Sequence, residues 1–259
     1  MDDHLLMHYR PEEKTFVRRM LELADRAASR HAPCLTGFLD PRQVRIATNI
    51  ARTVGDVAVF ADGGWDGAER KRVLLAPDHW MPEPDELALC WLRIEVPGES
   101  VTLKHGDYLG ALLGLGLKRE KIGDLSVQPA GCDLVAARDV EEFLRLHLHQ
   151  VGRASVRVLP IEKAEFRPPQ IELAEREFTV MSLRIDAVAA ESFQLARSKI
   201  VDPIKAGKLQ LNWQTVTDPS MPVEAGDVIS LRGMGRIRVL EIGGQTKKGR
   251  TVIRIGKYL

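Results

Sequence analysis

Cysteine is scarce in this sequence of 259 residues, which contains only three. Cys34, Cys90 and Cys132 are far apart, odd in number and form no Cys-x-x-Cys pair. This spacing argues against a disulfide framework and a structural zinc site, and it is typical of a reducing compartment. We therefore expect a chain without disulfides, bound metal or other cofactor.

Long apolar segments are also missing. The longest nearly apolar run, Tyr108 to Leu117, has about half of the roughly 20 residues that a membrane-spanning helix needs. The N-terminus lacks the basic and then apolar segments of a secretory signal peptide. These absences predict a cytoplasmic protein that is not inserted in a membrane.

No catalytic constellation is recognisable. His147 and His149 are two residues apart on a predicted helix, so their side chains diverge. Glycines 106, 110 and 114 recur every four residues, which is not the Gly-x-Gly-x-x-Gly fingerprint of a dinucleotide site. Their spacing predicts one helix face that can approach a sheet closely. We expect no catalytic residue.

Charge is unevenly distributed along the chain. Residues 181–259 contain 13 Lys and Arg against 7 Asp and Glu, a net charge of +6, whereas residues 1–180 have a net charge of −5. A basic C-terminal third predicts an anionic partner, most commonly nucleic acid. Charge alone fits a solvated lysine-rich surface equally well.

The first 82 residues predict two helices followed by a β-hairpin. Apolar spacing indicates one helix over Pro11–Ala28 and another that begins after Asp40, with Pro41 at its first position. The hairpin strands are Val57–Phe60 and Arg72–Leu75. Three cations at the hairpin base either contact phosphate or form a charged strand edge: Arg70, Lys71 and Arg72.

The middle segment predicts a βαββαβ order, the arrangement of ferredoxin-like folds and RNA-recognition modules. The predicted strands are Leu87–Val96, Ile122–Gln128, Cys132–Ala137 and Ala154–Ile161, and the helices are His105–Leu115 and Asp139–Val151, with Asp139 as the cap. RNA-recognition modules stack bases on strand aromatics. Here the corresponding strands offer only Trp91, so base stacking on this sheet is not expected. The backbone-contact candidates are Lys118, Arg119 and Lys121, with a solvated turn as the alternative.

Residues 163–178 predict a polar linker, stiffened by Pro168 and Pro169. Beyond it, two short helices are predicted over Leu183–Ala190 and Leu195–Ala206, the second with Ala196, Ile200, Pro203 and Ile204 on its inner face. Gly207 is a natural helix stop, and a strand begins at Leu209. Pro203 predicts either a kink near Lys199–Asp202 or a re-formed last turn.

This order of elements resembles the S-four domain, the small RNA-binding module first known from the fourth protein of the small ribosomal subunit. Its apolar seam would present cations at fixed spacing to a phosphate backbone. The candidate RNA-binding residues are Arg184, Arg197, Lys199, Lys205, Lys208, Asn212, Arg232, Arg236, Arg238, Lys247 and Lys248. An ordinary helical hairpin with a polar outer face is the alternative, and so is a hairpin with a charged tip for the last two residues.

Segments throughout the chain are similar to the bacterial YlmH family. They include Leu35–Arg42, Gly67–Arg72, Leu115–Arg119, Val151–Val156 and Gly226–Arg238. The resemblance implies an α+β protein with an N-terminal domain (1–82), an RNA-recognition-like domain (83–162), the linker (163–178) and an S-four domain (179–259). It also implies a non-enzymatic factor that binds ribosomal RNA and tRNA on the large ribosomal subunit and rescues stalled translation. We expect a monomer.

Two other classes of function are retained. One is an RNA-modifying enzyme of the pseudouridine-synthase type, because Arg184-Ile185-Asp186 superficially resembles the Arg-Leu-Asp loop of those enzymes. The chain has no further segment large enough for their catalytic domain. The other is a scaffold for cell division at the membrane, for which the sequence offers no amphipathic anchor with a basic face.

Overall fold

The computed structural model describes residues 2–83, 85–98 and 102–258, without the side chains of residues 2 and 3. The chain forms two units, residues 1–169 and 170–259, each with its own core. The helices are α1 Asp2–Leu6, α2 Lys14–Arg30, α3 Pro41–Val54, α4 His105–Gly114, α5 Glu141–His147, α6 Ile185–Ser192 and α7 Arg197–Lys205. Among the described residues, no helix is long and apolar enough to cross a membrane.

The strands of the described residues form four antiparallel sheets. Those of residues 1–169 are β1 Cys34–Leu39, β2 Val57–Asp62, β3 Lys71–Pro77, β4 Leu89–Glu95, β5 Ile122–Gln128, β6 Gly131–Ala137, β7 Gln150–Val151, β8 Ala154–Ser155 and β9 Arg157–Ile161. Those of residues 170–259 are β10 Leu173–Val180, β11 Leu209–Leu211, β12 Gln214–Val216, β13 Val228–Leu231, β14 Gly235–Gln245 and β15 Thr251–Tyr258. The predicted α+β class is confirmed.

The N-terminal region packs α2 and α3 against a sheet of order β1-β3-β2. Both predicted helices and the hairpin β2–β3 are confirmed. Asp40 caps α3, since its Oδ1 accepts from the Gln43 amide at 2.8 Å while the Asp40 amide donates to Gln43 Oε1 at 3.0 Å. Strand β1, which pairs with the edge of β3 opposite β2, was not predicted.

The middle region has the predicted βαββαβ order and a sheet of order β5-β6-β4-β9. The prediction for its second helix was too long, because α5 ends at His147 and the small hairpin β7–β8 follows. Asp139 does not cap α5 and instead forms an ion pair with Lys121.

The prediction that the glycines of α4 approach the sheet was wrong. A Cβ atom added at Gly106, Gly110 or Gly114 would meet no atom within 4 Å, and all three residues are exposed. Tyr108 and Leu112 form the buried face of α4 instead. The glycine spacing therefore marks the solvent side of the helix.

The sheet face opposite α4 and α5 is covered within residues 1–169. Trp91 and Val135 on this face pack with Phe38 and Trp65 of the N-terminal region and with Phe166, which follows β9. The Trp91 indole donates to the Gly64 carbonyl oxygen at 3.0 Å. A Cβ atom at Gly64 would lie 2.8 Å from Val135 Cγ1, so glycine permits this close contact. RNA-recognition modules use this face for bases, and here protein occupies it.

A buried ion-pair cluster holds the covering segment in place. Asp133 on β6 is fully buried, and its carboxylate accepts hydrogen bonds of 2.7–3.1 Å from Arg93 on β4 and from Arg167. Burial by itself raises the pKa of Asp133, but the hydrogen bonds from Arg167 and Arg93 outweigh burial and hold the pKa well below its usual range. Asp133 therefore stays ionised.

The C-terminal unit packs α6 and α7 on one face of a six-stranded sheet of order β10-β15-β14-β13-β11-β12. The prediction of a linker is corrected at its end, because Leu173–Val180 forms β10 and pairs along its full length with β15. The exposed glutamates of this edge strand gave it the composition of a polar linker, so the strand was not predicted. The remaining predicted domain boundaries stay predictions.

Replacing Asp133 tests whether its ion pairs stabilise the covered sheet. We expect Asp133→Asn to lower the free energy of unfolding by about 3 kcal/mol, because it leaves two guanidinium groups without their buried counterion. Urea denaturation followed by tryptophan fluorescence measures the loss. The matched control is Asp139→Asn, which removes an exposed ion pair and should change stability by less than about 0.5 kcal/mol. Equal effects of the two variants would contradict the role assigned to Asp133.

Candidate nucleic-acid interface

Two arginines at the starts of α6 and α7 converge on one buried carboxylate. Asp186 is 4% exposed and accepts from Nε and Nη2 of Arg184, both at 3.2 Å. It also accepts from Nη2 of Arg197 at 2.9 Å and from Nε at 3.2 Å. The side chains of Arg184 and Arg197 are 42% and 56% exposed. The cluster thus presents two oriented guanidinium groups to solvent with a net charge of +1.

The cluster is ionised at neutral pH. Burial alone would raise the pKa of Asp186, but the hydrogen bonds from Arg184 and then Arg197 outweigh it and hold the pKa below its ordinary value. A fixed negative charge beneath two guanidinium groups limits their side-chain freedom, so less entropy is lost when they bind an anion.

Backbone contacts fix the start of α6. Arg184 is extended and forms an isolated β-bridge with Pro222, and the Ile185 amide donates to the Met221 carbonyl oxygen at 2.8 Å. Ile185 and Val188 are fully buried, as are Ile200 and Ile204 of α7. The loop before β13 therefore positions Arg184, and the apolar seam between the helices positions Arg197.

A second group of cations lies at the other end of α7. Lys205 is the last residue of α7, about 12 Å along the helix axis from Arg197. The Arg232 amide donates to the Lys208 carbonyl oxygen at 3.0 Å, which brings these two exposed residues together. Lys199 is exposed within α7. These cations and the arginine pair lie around one helix.

The helix runs through Pro203 from Arg197 to Lys205, and its last turn is re-formed. The Ala206 amide donates to Asp202, the Gly207 amide to Ile204 and the Lys208 amide to Pro203, each at 2.9 Å. Gly207, at φ +67°, ends the helix as predicted. The inner face contains Ile200 and Ile204, whereas Ala196 is exposed, contrary to the prediction.

Arg236 and Arg238 face away from the helices. They alternate along β14 with Ile237 and Val239, which are fully buried in the core beneath α6 and α7. The guanidinium carbon of Arg236 lies 5.4 Å from the Trp213 ring centre and 5.7 Å from that of Tyr258. The structure therefore separates these two arginines from the Arg184–Arg197 pair.

Asn212 serves the fold. With Trp213 it forms the tight turn between β11 and β12, both residues having positive φ. Its side chain donates to Asp227 Oδ1 at 2.7 Å and accepts from the Val228 amide at 3.0 Å. Lys247 and Lys248 are exposed in the β14–β15 turn. Arg250 of that turn donates to Thr179 at the end of β10, on the chain that leads to α6.

The secondary candidates in residues 1–169 have structural contacts. Arg72 is 9% exposed and donates to the carbonyl oxygens of Thr36, Leu87 and Ala88. Arg70 and Arg119 also donate to carbonyl oxygens, and Lys121 is paired with Asp139. Lys118 is exposed, and Lys71 is partly buried on β3.

Family models cover most of the chain. Residues 12–80 match the N-terminal domain of YlmH, residues 82–165 match the RNA-binding domain described for YlmH, and residues 183–229 match the S4 domain. The arginine pair on Asp186 lies within the S4 match, as do Lys199, Lys205 and Lys208, whereas Arg232 follows it. The fold and the interface thus define a protein with RNA-binding domains.

A curated relative shows the family. The chain is 35% identical over 244 residues to the ribosome-associated protein quality control protein P2 of Bacillus subtilis, covering 94% of this chain and 95% of that protein. A solved structure, the cell division protein ylmH from Streptococcus pneumoniae, shares the fold at a TM-score of 0.55 and 24% identity. The match covers 61% of this chain and 96% of the solved one. The chain belongs to the YlmH family.

The role of Asp186 in orienting the two arginines was not predicted from the sequence. The signal was present as Arg184-Ile185-Asp186 at the start of an apolar helix, with Arg197 one short helix later. The pairing of Trp213 with Arg236 joins residues of a turn and a distant strand, and no local pattern indicates it.

Acid should loosen the arginine pair selectively. Because the folded-state pKa of Asp186 is depressed, its stabilisation is fully present above the unfolded value of about 3.9 and is lost as pH falls through the folded pKa. Relative to the intrinsic exchange rate at each pH, we expect the amide protection of residues 183–205 to fall below about pH 4. We expect Asp186→Asn to show low protection already at pH 7. Hydrogen–deuterium exchange by mass spectrometry measures this. Asp202→Asn, an exposed acid on α7, should behave like the wild type.

Proposed function

We propose that this protein acts by binding RNA on the ribosome, through the surface around α6 and α7, in the quality control of stalled translation. The observation that carries the proposal is the pair of half-exposed guanidinium groups held on the buried Asp186 carboxylate within an S4 domain. The name of the Bacillus relative places that protein in ribosome-associated quality control. Because this chain is 35% identical to that protein over 94% of its length, we assign it the same process.

The chemistry fits a phosphate backbone. Guanidinium groups bind phosphate oxygens through two parallel hydrogen bonds, and fixing their direction favours one path of the backbone across the surface. Lys199, Lys205, Lys208 and Arg232 add charge around the same helix. Their contacts would release counterions and make binding strongly dependent on salt. Arg236 and Arg238, on the opposite face, and the turn with Lys247 and Lys248 would serve as additional contacts.

The finer assignments follow the same reasoning. We assign the large ribosomal subunit, with its ribosomal RNA and a bound tRNA, as the partner, and a cytoplasmic monomer as the acting form. We assign no catalysis to the chain. Both oxygens of Asp186 accept hydrogen bonds from arginine, which suits a positioning residue better than the catalytic aspartate of an RNA-modifying enzyme.

Charge reversal on α7 tests the surface without disturbing the Asp186 cluster. We expect Lys199→Glu with Lys205→Glu to reduce co-sedimentation with large ribosomal subunits at least tenfold, because two phosphate contacts become repulsive. The matched control is Arg18→Glu with Arg52→Glu, which makes the same change in net charge at exposed positions of the other unit. Loss of binding in both variants would mean that net charge alone drives the association, and retention in both would refute the proposed surface.

Removing the negative charge of Asp186 tests whether RNA binding depends on the fixed direction of the two guanidinium groups or only on positive charge. Asp186→Asn makes the surface more positive, so unspecific attraction predicts tighter RNA binding. We expect weaker binding instead, by about tenfold, because the guanidinium groups lose their fixed directions. Filter binding to ribosomal RNA at several salt concentrations measures this, with circular dichroism to verify folding. Tighter binding by a folded variant would overturn the positioning role.

Crosslinking in cells tests the partner. Mapped crosslinks should fall on large-subunit ribosomal RNA and on tRNA, and they should be lost in the Lys199→Glu, Lys205→Glu variant. RNA that carries a modification dependent on this protein would favour the enzymatic class. Binding to anionic vesicles without RNA binding would favour a scaffold at the membrane.

A further inference from the structure

A basic cavity lies within residues 1–169, between the β1–α3 corner and the 3-10 turn Arg119–Lys121. It has a volume of about 420 Å³, and its walls include Phe16, Met20, Asp40, Arg70, Lys118 and Arg119. Gly37 of β1 allows the two walls to meet, since a Cβ atom there would lie 2.7 Å from the Cβ of Glu120. None of these contacts involves the S4 domain.

Two arginines of this cavity share one backbone acceptor. Arg70 Nε donates to the Ile122 carbonyl oxygen at 3.2 Å, and Arg119 Nη1 donates to the same oxygen at 2.5 Å. Arg70 Nη2 donates to the Phe38 carbonyl oxygen at 2.7 Å. In the described part of the chain, Nη1 of Arg70 and the Nε and Nη2 atoms of Arg119 have no hydrogen-bond partner. These donors remain available to a ligand.

Carboxylates lie near both guanidinium groups, but none of Asp40, Asp124 and Glu120 is within 4 Å of either in a direct ion pair. Asp124 and Glu69 are close enough to favour the charged form of both arginines, and Asp40 favours that of Arg70. The nearby Asp124 accepts from the amides of Glu69 and Arg70 and from the Trp65 indole. Asp40 caps α3, and Glu120 is paired with Arg19 at 3.6 Å.

The arrangement brings two guanidinium groups together in a partly buried place. Burial, and then the charge of Arg70, lowers the pKa of Arg119 to about 10. Burial also lowers the pKa of Arg70. Like charges held together out of bulk water are costly, and a bound anion removes that cost.

We propose that this cavity binds the phosphate group of a nucleotide-sized ligand, with Arg70, Arg119 and Lys118 as the phosphate-contacting residues. Their guanidinium forks and ammonium group match the several acceptor oxygens of a phosphate. The volume falls within the roughly 300–1,000 Å³ of small-molecule sites. Phe16 and Met20 offer an apolar wall to the remainder of the ligand, and Asp40 disfavours a second negative group on its side. The proposal does not depend on RNA binding by the C-terminal unit.

Methionine methyl resonances provide a local readout. Met20 lines the cavity and is 1% exposed, whereas Met181 and Met234 belong to the C-terminal unit. The full chain labelled with ¹³C at methionine methyl groups is titrated with inorganic phosphate, with a nucleoside monophosphate and with its unphosphorylated nucleoside. We expect both phosphates to shift the Met20 signal and not those of Met181 or Met234. Chloride at equal ionic strength should leave the Met20 signal in place.

Two variants examine the assigned donors. Lys118→Ala removes an exposed cation, and we expect it to weaken phosphate binding by about tenfold while the fold is kept. Arg119→Lys retains the charge and loses the guanidinium fork, with the same expectation. The matched control is Arg145→Ala on α5, an exposed cation outside the cavity.

The outcomes separate the sources of the phosphate. A larger shift with free nucleotide than with a 5′-phosphorylated RNA oligonucleotide identifies a soluble nucleotide, and the reverse identifies an RNA end. No shift of Met20 with any phosphate, or an equal shift in wild type and both variants, overturns the site. The Lys199→Glu, Lys205→Glu variant should keep the phosphate-dependent shift of Met20, so failure of this proposal is distinguishable from failure of the proposed function.

Discussion

A buried carboxylate shared by two arginines is the interaction on which both units depend. Asp133 is fully buried and Asp186 is 4% exposed, and each is stable as an anion only because two guanidinium groups bind it. The two clusters differ in what surrounds them. Around Asp133 the pairing ties Arg167 and the segment beside Phe166 to a covered sheet. Around Asp186 it leaves two arginines half-exposed, ready for a ligand.

The covered sheet is the reason that we place the proposed RNA contacts on the C-terminal unit. A βαββαβ domain normally offers its open sheet face to bases, but here Trp91 and Val135 pack against Phe38 and Trp65. Exposing that face would break the Trp91–Gly64 hydrogen bond and uncover apolar surface. The domain therefore has the topology of an RNA-recognition module, but the sheet face that binds bases in such modules is buried here.

Apolar periodicity predicted most helices and strands, whereas two edge strands become visible only through their pairing in the sheets. The helices α2 and α3 and the βαββαβ order follow from apolar spacing, caps and turns. The strand β1 was missed because its Thr-Gly interior lacks alternation, and β10 because its exposed glutamates resemble a linker. Basic residue types could be listed from the sequence, but their partners could not, since Arg72 meets carbonyl oxygens 15 to 36 positions away.

The partner of each arginine, rather than the number of arginines, indicates where anions bind. Arg72 is saturated by backbone carbonyl oxygens and has little to offer a ligand. Arg184 and Arg197 are paired yet exposed, so they can add a phosphate to the carboxylate they already hold. Arg70 and Arg119 donate to carbonyl oxygens, keep further donors, and have carboxylates nearby without a direct ion pair to Asp40 or Asp124. The net charge of +1 for the whole chain conceals these differences, because it weighs every cation alike.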